Sequence, residues 1–195
     1  MTKMMTALSI LLILATATAC KSSTAGTSAA PPAAAGATHT AAAAAGGGGA
    51  GVCSYLTPAD VNPLFSEPVK AGVAGTFNAP NGGSSAECDY QLQSDNTAQS
   101  GSPLGLNLVV NPPYDAWKTQ FVSVTPLAGI GDSAFYAGDG LVVVAKKGSK
   151  SCMAQITISK PTQLNAAQTD DYGVAPSAQA AYAAKLGALC TKMLG

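Results

Sequence analysis

The residues whose chemistry is easiest to place are the five cysteines, Cys20, Cys53, Cys88, Cys152 and Cys190. No two of them lie close enough for a Cys-x-x-Cys metal or redox site, so the thiols read as partners for structural bridges. Cys53, Cys88, Cys152 and Cys190 share the later part of the chain, and four cysteines allow three pairings. The expected pairing is Cys53 with Cys88 and Cys152 with Cys190, because each bridge then ties a helical segment to the sheet it must cover. A bridge closing a loop of about 35 to 40 residues stabilises by roughly 3 to 4 kcal/mol in the chain-entropy account. Cys20 is left over.

Other reactive constellations are sparse. The one histidine, His39, lies in a low-complexity stretch, so a Ser-His-Asp or Cys-His centre cannot be built from the later region. Gly129-Ile130-Gly131-Asp132 lacks the third glycine of a dinucleotide fingerprint and reads as a tight turn. Asp132 and Asp139 flank one strand and Asp170-Asp171 sit in a polar loop, the raw material for a paired-acid hydrolase or a calcium site. Acids in turns more often serve the backbone. Of the aromatics Tyr55, Tyr90, Tyr114, Trp117, Tyr136 and Tyr172, which could line a groove, Trp117, Tyr114 and Tyr136 are the candidate ligand contacts. The competing reading puts Trp117, at helical spacing from Tyr114 and Phe121, in the core.

Charge excludes some partners. Ten lysines balance ten acids and arginine is absent, which removes the usual bidentate reader of phosphate and gives no footprint for nucleic acid. Lys146, Lys147 and Lys150 fall at an expected hairpin tip and read as a solvated turn. No cofactor and no metal are expected.

The elements that must hold these residues begin after an export segment. Residues 1–19 carry one early charge, Lys3, then an apolar run from Ala7 to Ala15 and small residues Thr16 to Ala19: a secretory signal too short to span a bilayer. Ala17-Thr18-Ala19-Cys20 resembles a bacterial lipobox, with Ala17 where leucine is usual, and implies lipid on the Cys20 sulfur. Ordinary cleavage after Ala17-x-Ala19 is the alternative. It would leave an unpaired exposed thiol at the new terminus, whereas acyl chains at about 0.8 kcal/mol per buried CH₂ would anchor the protein. From Cys20 to Gly51 the chain is Ala, Gly, Ser, Thr and Pro with little else, a composition expected to form a flexible tether of about 30 Å mean span.

Residues 52–195 read as one disulfide-braced α+β domain. Thr57-Pro58-Ala59-Asp60 is a helix start with cap, first-turn proline and answering acid, and Pro63 shortens or kinks that helix near Phe65. Strand-like runs follow at Pro68 to Phe77, Glu87 to Gln93 and Leu104 to Val110. A second helix begins after Pro112-Pro113, and Val124 to Gly131 reads as a loop. Ser133 to Tyr136 and Leu141 to Lys146 flank Asp139-Gly140 as a hairpin, Ser151 to Ile158 alternates as a strand, and Pro176 or Ser177 opens a long amphipathic helix. The expected architecture is an antiparallel sheet of about five or six strands with helices packed on it. A loose succession of helix then strands occurs twice.

Cys53-Ser54-Tyr55-Leu56-Thr57, Glu87-Cys88-Asp89-Tyr90 and Gly129-Ile130-Gly131-Asp132-Ser133-Ala134-Phe135 resemble small actinobacterial-type cell-surface lipoproteins of uncharacterised function. Pro63 and the second cysteine pair depart from that pattern, and the resemblance brings no catalytic residue. It implies a lipid-anchored module outside the cytoplasmic membrane, at the cell surface or in a periplasm. Such a module is expected to be a monomer and non-enzymatic, and to bind a small ligand or an envelope protein. The alternative is a carboxylate-dependent hydrolase acting on envelope material.

Overall fold

The computed structural model describes residues 51–79, 82–95, 103–171 and 173–195. The expected signal, Cys20, the tether up to residue 50 and Tyr172 lie outside the described residues. At the start of α1 (Pro58–Val61), the Asp60 carboxylate accepts bonds from the Thr57 N–H at 2.8 Å and the Thr57 hydroxyl at 3.0 Å. Pro63 cannot continue α geometry, and the chain tightens into a 3₁₀ turn over Asn62–Leu64.

The strands are β1 (Val73–Asn78), β2 (Ser84–Gln91), β3 (Gly105–Val110), β4 (Thr125–Pro126), β5 (Ser133–Ala137), β6 (Val142–Lys147) and β7 (Lys150–Thr157). They form one antiparallel sheet in the order β1-β2-β3-β7-β6-β5-β4. Two meanders, each led by a helix, therefore meet where β3 pairs with β7. Seven strands exceed the expected five or six because Thr125 and Pro126, read as loop, pair with Tyr136 and Phe135. The Gly129–Asp132 segment is a tight turn: Gly129 and Gly131 have φ of 82° and 58°. A β-carbon on Gly131 would sit 2.3 Å from the Lys146 carbonyl oxygen, so only glycine fits.

Side-chain alternation divides the sheet into two faces. One carries Cys88, Tyr90, Leu106, Leu108, Val143, Ala145, Cys152, Ala154 and Ile156, and α3 (Gln179–Leu194) packs on it through Tyr182, Ala183, Leu186, Cys190 and Met193. That helix begins at Gln179 rather than at Pro176 or Ser177, because the Ser177 hydroxyl bonds Gln168 instead of capping a first turn. The opposite face carries Val109, Phe135, Val142, Val144 and Met153 beneath Trp117 of α2 (Tyr114–Gln120), with Phe77, Tyr114 and Phe121 around it.

Two bridges join Cys53 to Cys88 and Cys152 to Cys190, with Cα separations of 5.2 and 5.6 Å. The first pins the 3₁₀ turn at Val52–Ser54 to β2 and the second pins α3 to β7. Two buried tyrosines do similar work through hydrogen bonds. The Tyr90 hydroxyl donates to the Leu56 carbonyl at 2.7 Å, and the Tyr182 hydroxyl donates to that of Leu64 at 2.7 Å. Burial raises both phenol pKa values, with the nearby Asp60 charge adding to the effect at Tyr90. No helix of the described residues is long and apolar enough to cross a membrane.

Candidate functional site

The end of β5 and the turn into β6 build a chemically varied concavity. Gly138, Asp139 and Gly140 all have positive φ, at 56°, 55° and 80°. The two glycines adopt this without steric cost, and aspartate is one of the few other residues that tolerates it. Packing fixes the turn from below, because a β-carbon on Gly140 would lie 3.0 Å from the Gln179 carbonyl oxygen at the start of α3. The Asp139 carboxylate is thereby held at the rim, 3.4 Å from the Gln179 side-chain amide.

Across from that rim run the end of α2 and the approach to β4. Together these elements enclose about 260 Å³, lined by Phe121, Ser123, Thr125, Tyr136, Asp139 and Gln179 together with Val122, Ala137 and Gly138. The lining offers two aromatic rings, three hydroxyls, one carboxylate and one amide. It contains no lysine, so it provides acceptors and an apolar wall but no cation.

Of the three candidate ligand contacts, Tyr136 reaches this cleft and the other two do not line it. Trp117 is 9% exposed, with ring centroids of Phe77 and Phe121 at 5.7 and 5.6 Å. Tyr114 sits edge-on to Phe135 at 5.4 Å with the Lys146 ammonium 5.1 Å above its ring. Lys147 donates to the Gly195 carbonyl at 2.6 Å. The expected solvated lysine turn is thus partly engaged with the fold. Tyr90, one of the aromatics expected as a possible groove lining, is core at 1% exposure, since Leu56 and Cys53 carbonyls satisfy its hydroxyl. Tyr55 is exposed and lines a second, larger hollow of about 370 Å³ with Val52, Ala86 and Val110.

The four acids singled out by sequence occupy two ends of the domain. Asp132 precedes β5 and accepts the Gly148 N–H at 2.7 Å. Asp139 follows β5, beside the loop in which Asp170 accepts the Gly173 N–H at 3.0 Å. Gly173 comes so close that a β-carbon there would be 4.0 Å from that of Asp139. Asp171 is exposed in the same loop.

A convergence that the sequence reading missed lies on the sheet itself. Asn107 of β3 forks its side-chain amide between Glu87 at 2.8 Å and Asp89 at 2.6 Å, both on β2. The period-two spacing of Glu87 and Asp89 was a readable sign of a shared face. Their pairing with Asn107 depends on strand register and was not. Among the described residues no group of three His, Cys, Asp or Glu side chains is placed to hold a metal ion.

No known protein-family model matches the chain, and neither does any curated protein or solved structure.

Proposed function

We propose that this domain is a non-enzymatic binding module, held outside the cytoplasmic membrane by lipid on Cys20, and that the Tyr136–Asp139 cleft takes one unit of an envelope ligand. The carrying observation is the cleft's lining: aromatic walls at Phe121 and Tyr136, hydroxyls at Ser123, Thr125 and Tyr136, and the Asp139–Gln179 pair at its rim. Aromatic faces with a few placed polar groups are the usual composition of a small-ligand site. With a carboxylate and no basic group, the cleft favours a neutral or positively charged, hydroxyl-bearing unit over an anionic one. At about 260 Å³ it falls below the roughly 300–1,000 Å³ of sites for whole drug-sized ligands, which suits one sugar or amino sugar at the end of a larger polymer.

The experiment is a titration of the isotopically labelled protein with neutral, amino and acidic sugars, followed by NMR. Shifts are expected at Phe121, Tyr136 and Asp139 with neutral and amino sugars, at millimolar affinity, and Asp139→Ala should weaken them at least tenfold. Binding confined to acidic sugars, or unchanged in Asp139→Ala, defeats this assignment. Intact-mass measurement of the protein extracted from membranes tests the anchor. A diacylglycerol on Cys20 supports it, and a free thiol there overturns it.

The hydrolase alternative centres on Asp139 and the neighbouring Asp170 loop, the two acid-bearing segments that pack together. Turnover of an envelope polymer that is lost in Asp139→Asn would favour it.

A further inference from the structure

The sheet ends in two very different edges. At one, β4 is two residues long and contains Pro126, which has no N–H to offer. Short strands and proline are standard ways of blunting an edge. At the other, β1 is six residues, Val73-Ala74-Gly75-Thr76-Phe77-Asn78, with no charge and no proline.

Register shows which groups that edge presents. Ala79 N–H bonds the Gly83 carbonyl, and the pairs Phe77/Ser85, Gly75/Glu87 and Val73/Asp89 keep the same parity. These residues therefore bond β2, and Ala74, Thr76 and Asn78 turn their N–H and C=O groups outward. Among the described residues no strand or loop pairs with them. Val73 is 57% exposed, which is unusual for a large apolar residue of this domain.

We propose that β1 is a self-association edge, pairing antiparallel with β1 of a second copy about a two-fold axis through Gly75. The strand's own sequence selects this occupant. Val73, Gly75 and Phe77 share one face. With Gly75 opposite Gly75, Ala74 and Thr76 of each copy exchange backbone hydrogen bonds. Each Val73 then lies against the partner's Phe77 in the closely spaced, non-hydrogen-bonded positions.

Phe77 already packs on Trp117, so the pairing extends the smaller apolar cluster across the axis and covers Val73. One feature opposes it. Glu87 leans over Gly75, within 2.8 Å of where a β-carbon would be, so two carboxylates approach across the axis. Two six-residue strands bury less than the roughly 1,000 Å² of a stable interface. The dimer is therefore weak in dilute solution and grows where copies are concentrated on one surface. This departs from the monomer expected from sequence, and it is independent of the ligand cleft.

The test is disulfide trapping of the full chain in membranes, with copper–phenanthroline as oxidant. Val73→Cys combined with Phe77→Cys should give a covalent dimer, and each single variant at least tenfold less. Adding Thr76→Lys, at an exposed edge position, should cut the double variant's yield about tenfold, and Glu87→Gln should raise it. Equal trapping in single and double variants, or indifference to Thr76→Lys, overturns the proposal. Because Phe77→Cys removes a core contact, sedimentation equilibrium of the otherwise unmodified chain with and without Thr76→Lys provides a second reading. Loss of a concentration-dependent dimer in Thr76→Lys supports the pairing, and identical monomer masses for both proteins up to the highest soluble concentration refute it.

Discussion

The two faces of the sheet are closed by very different means. On one, a 16-residue helix lays a stripe of Tyr182, Leu186, Cys190 and Met193 over β6 and β7, and a disulfide fastens it covalently. On the other, a seven-residue helix brings Trp117 down on Val109, Val144 and Met153, with Phe77 and Phe121 beside it and no bridge. The first face is mostly aliphatic, extensive and cross-linked. The second is a small aromatic cap whose margins lead to the proposed cleft through Phe121 and to the bare edge through Phe77. This domain concentrates stability on one side, while the proposed cleft draws on both, taking Phe121 from the aromatic cap and Tyr136 and Gln179 from the helix-covered side.

Substitutions can break that contrast. The largest effect is expected for Leu186→Ala, fully buried on the sheet-facing side of α3: about 2–5 kcal/mol lost in urea unfolding, from lost transfer energy plus a cavity. Trp117→Ala should cost less than a typical buried tryptophan truncation, about 2–3 kcal/mol, because the short α2 can resettle over the gap. Trp117→Phe sharpens the point. The indole N–H is buried without a hydrogen-bond partner among the described residues, so removing it while keeping a ring should change stability by less than about 1 kcal/mol. A Trp117→Phe loss as large as that of Leu186→Ala would mean that the two faces are equally rigid.

The smallest effect concerns the link between α1 and α3. The Lys192 ammonium, then the Thr57 N–H and hydroxyl, hold the Asp60 carboxyl down at about 2, from an ordinary 3.8. A depressed carboxyl contributes stability that is fully present above its unfolded value and lost as pH falls through the folded one. The contribution should therefore fade between about pH 4 and 2, and Asp60→Asn should flatten that part of the stability profile by lowering neutral-pH stability slightly while leaving stability at pH 2 little changed. A steep acid loss that persists in Asp60→Asn would place the responsible carboxyl elsewhere.

Much of this architecture was legible because its causes are local. Thr57-Pro58-Ala59-Asp60 carries its own cap, Pro63 its own stop, and Gly129 and Gly131 their own turn. Alternation was enough to mark β3 and β7 as strands. The cysteine pairing followed once helices and strands were placed. What stayed hidden depends on partners distant in sequence. The β4 strand exists because Thr125 and Pro126 meet Tyr136 and Phe135. Tyr90 looked available for a groove until the Leu56 carbonyl came to its hydroxyl. Pro176 or Ser177 looked like the opening of the last helix, which instead begins at Gln179. The candidate cleft was half readable, through Tyr136 and Asp139, but Ser123, Thr125 and Gln179 come from segments that nothing in the linear order brings together.

The bridge from Cys53 to Cys88 has a mechanical consequence. A pull arriving along the chain from its N-terminal side reaches Cys53 only two residues into the described domain and passes straight through sulfur into β2, which is flanked by strands on both sides. Everything between those two residues, α1 and β1 included, sits on a slack side branch of the load path. Tension at that end would therefore be resisted by the middle of the sheet, and the edge strand would keep its shape under strain.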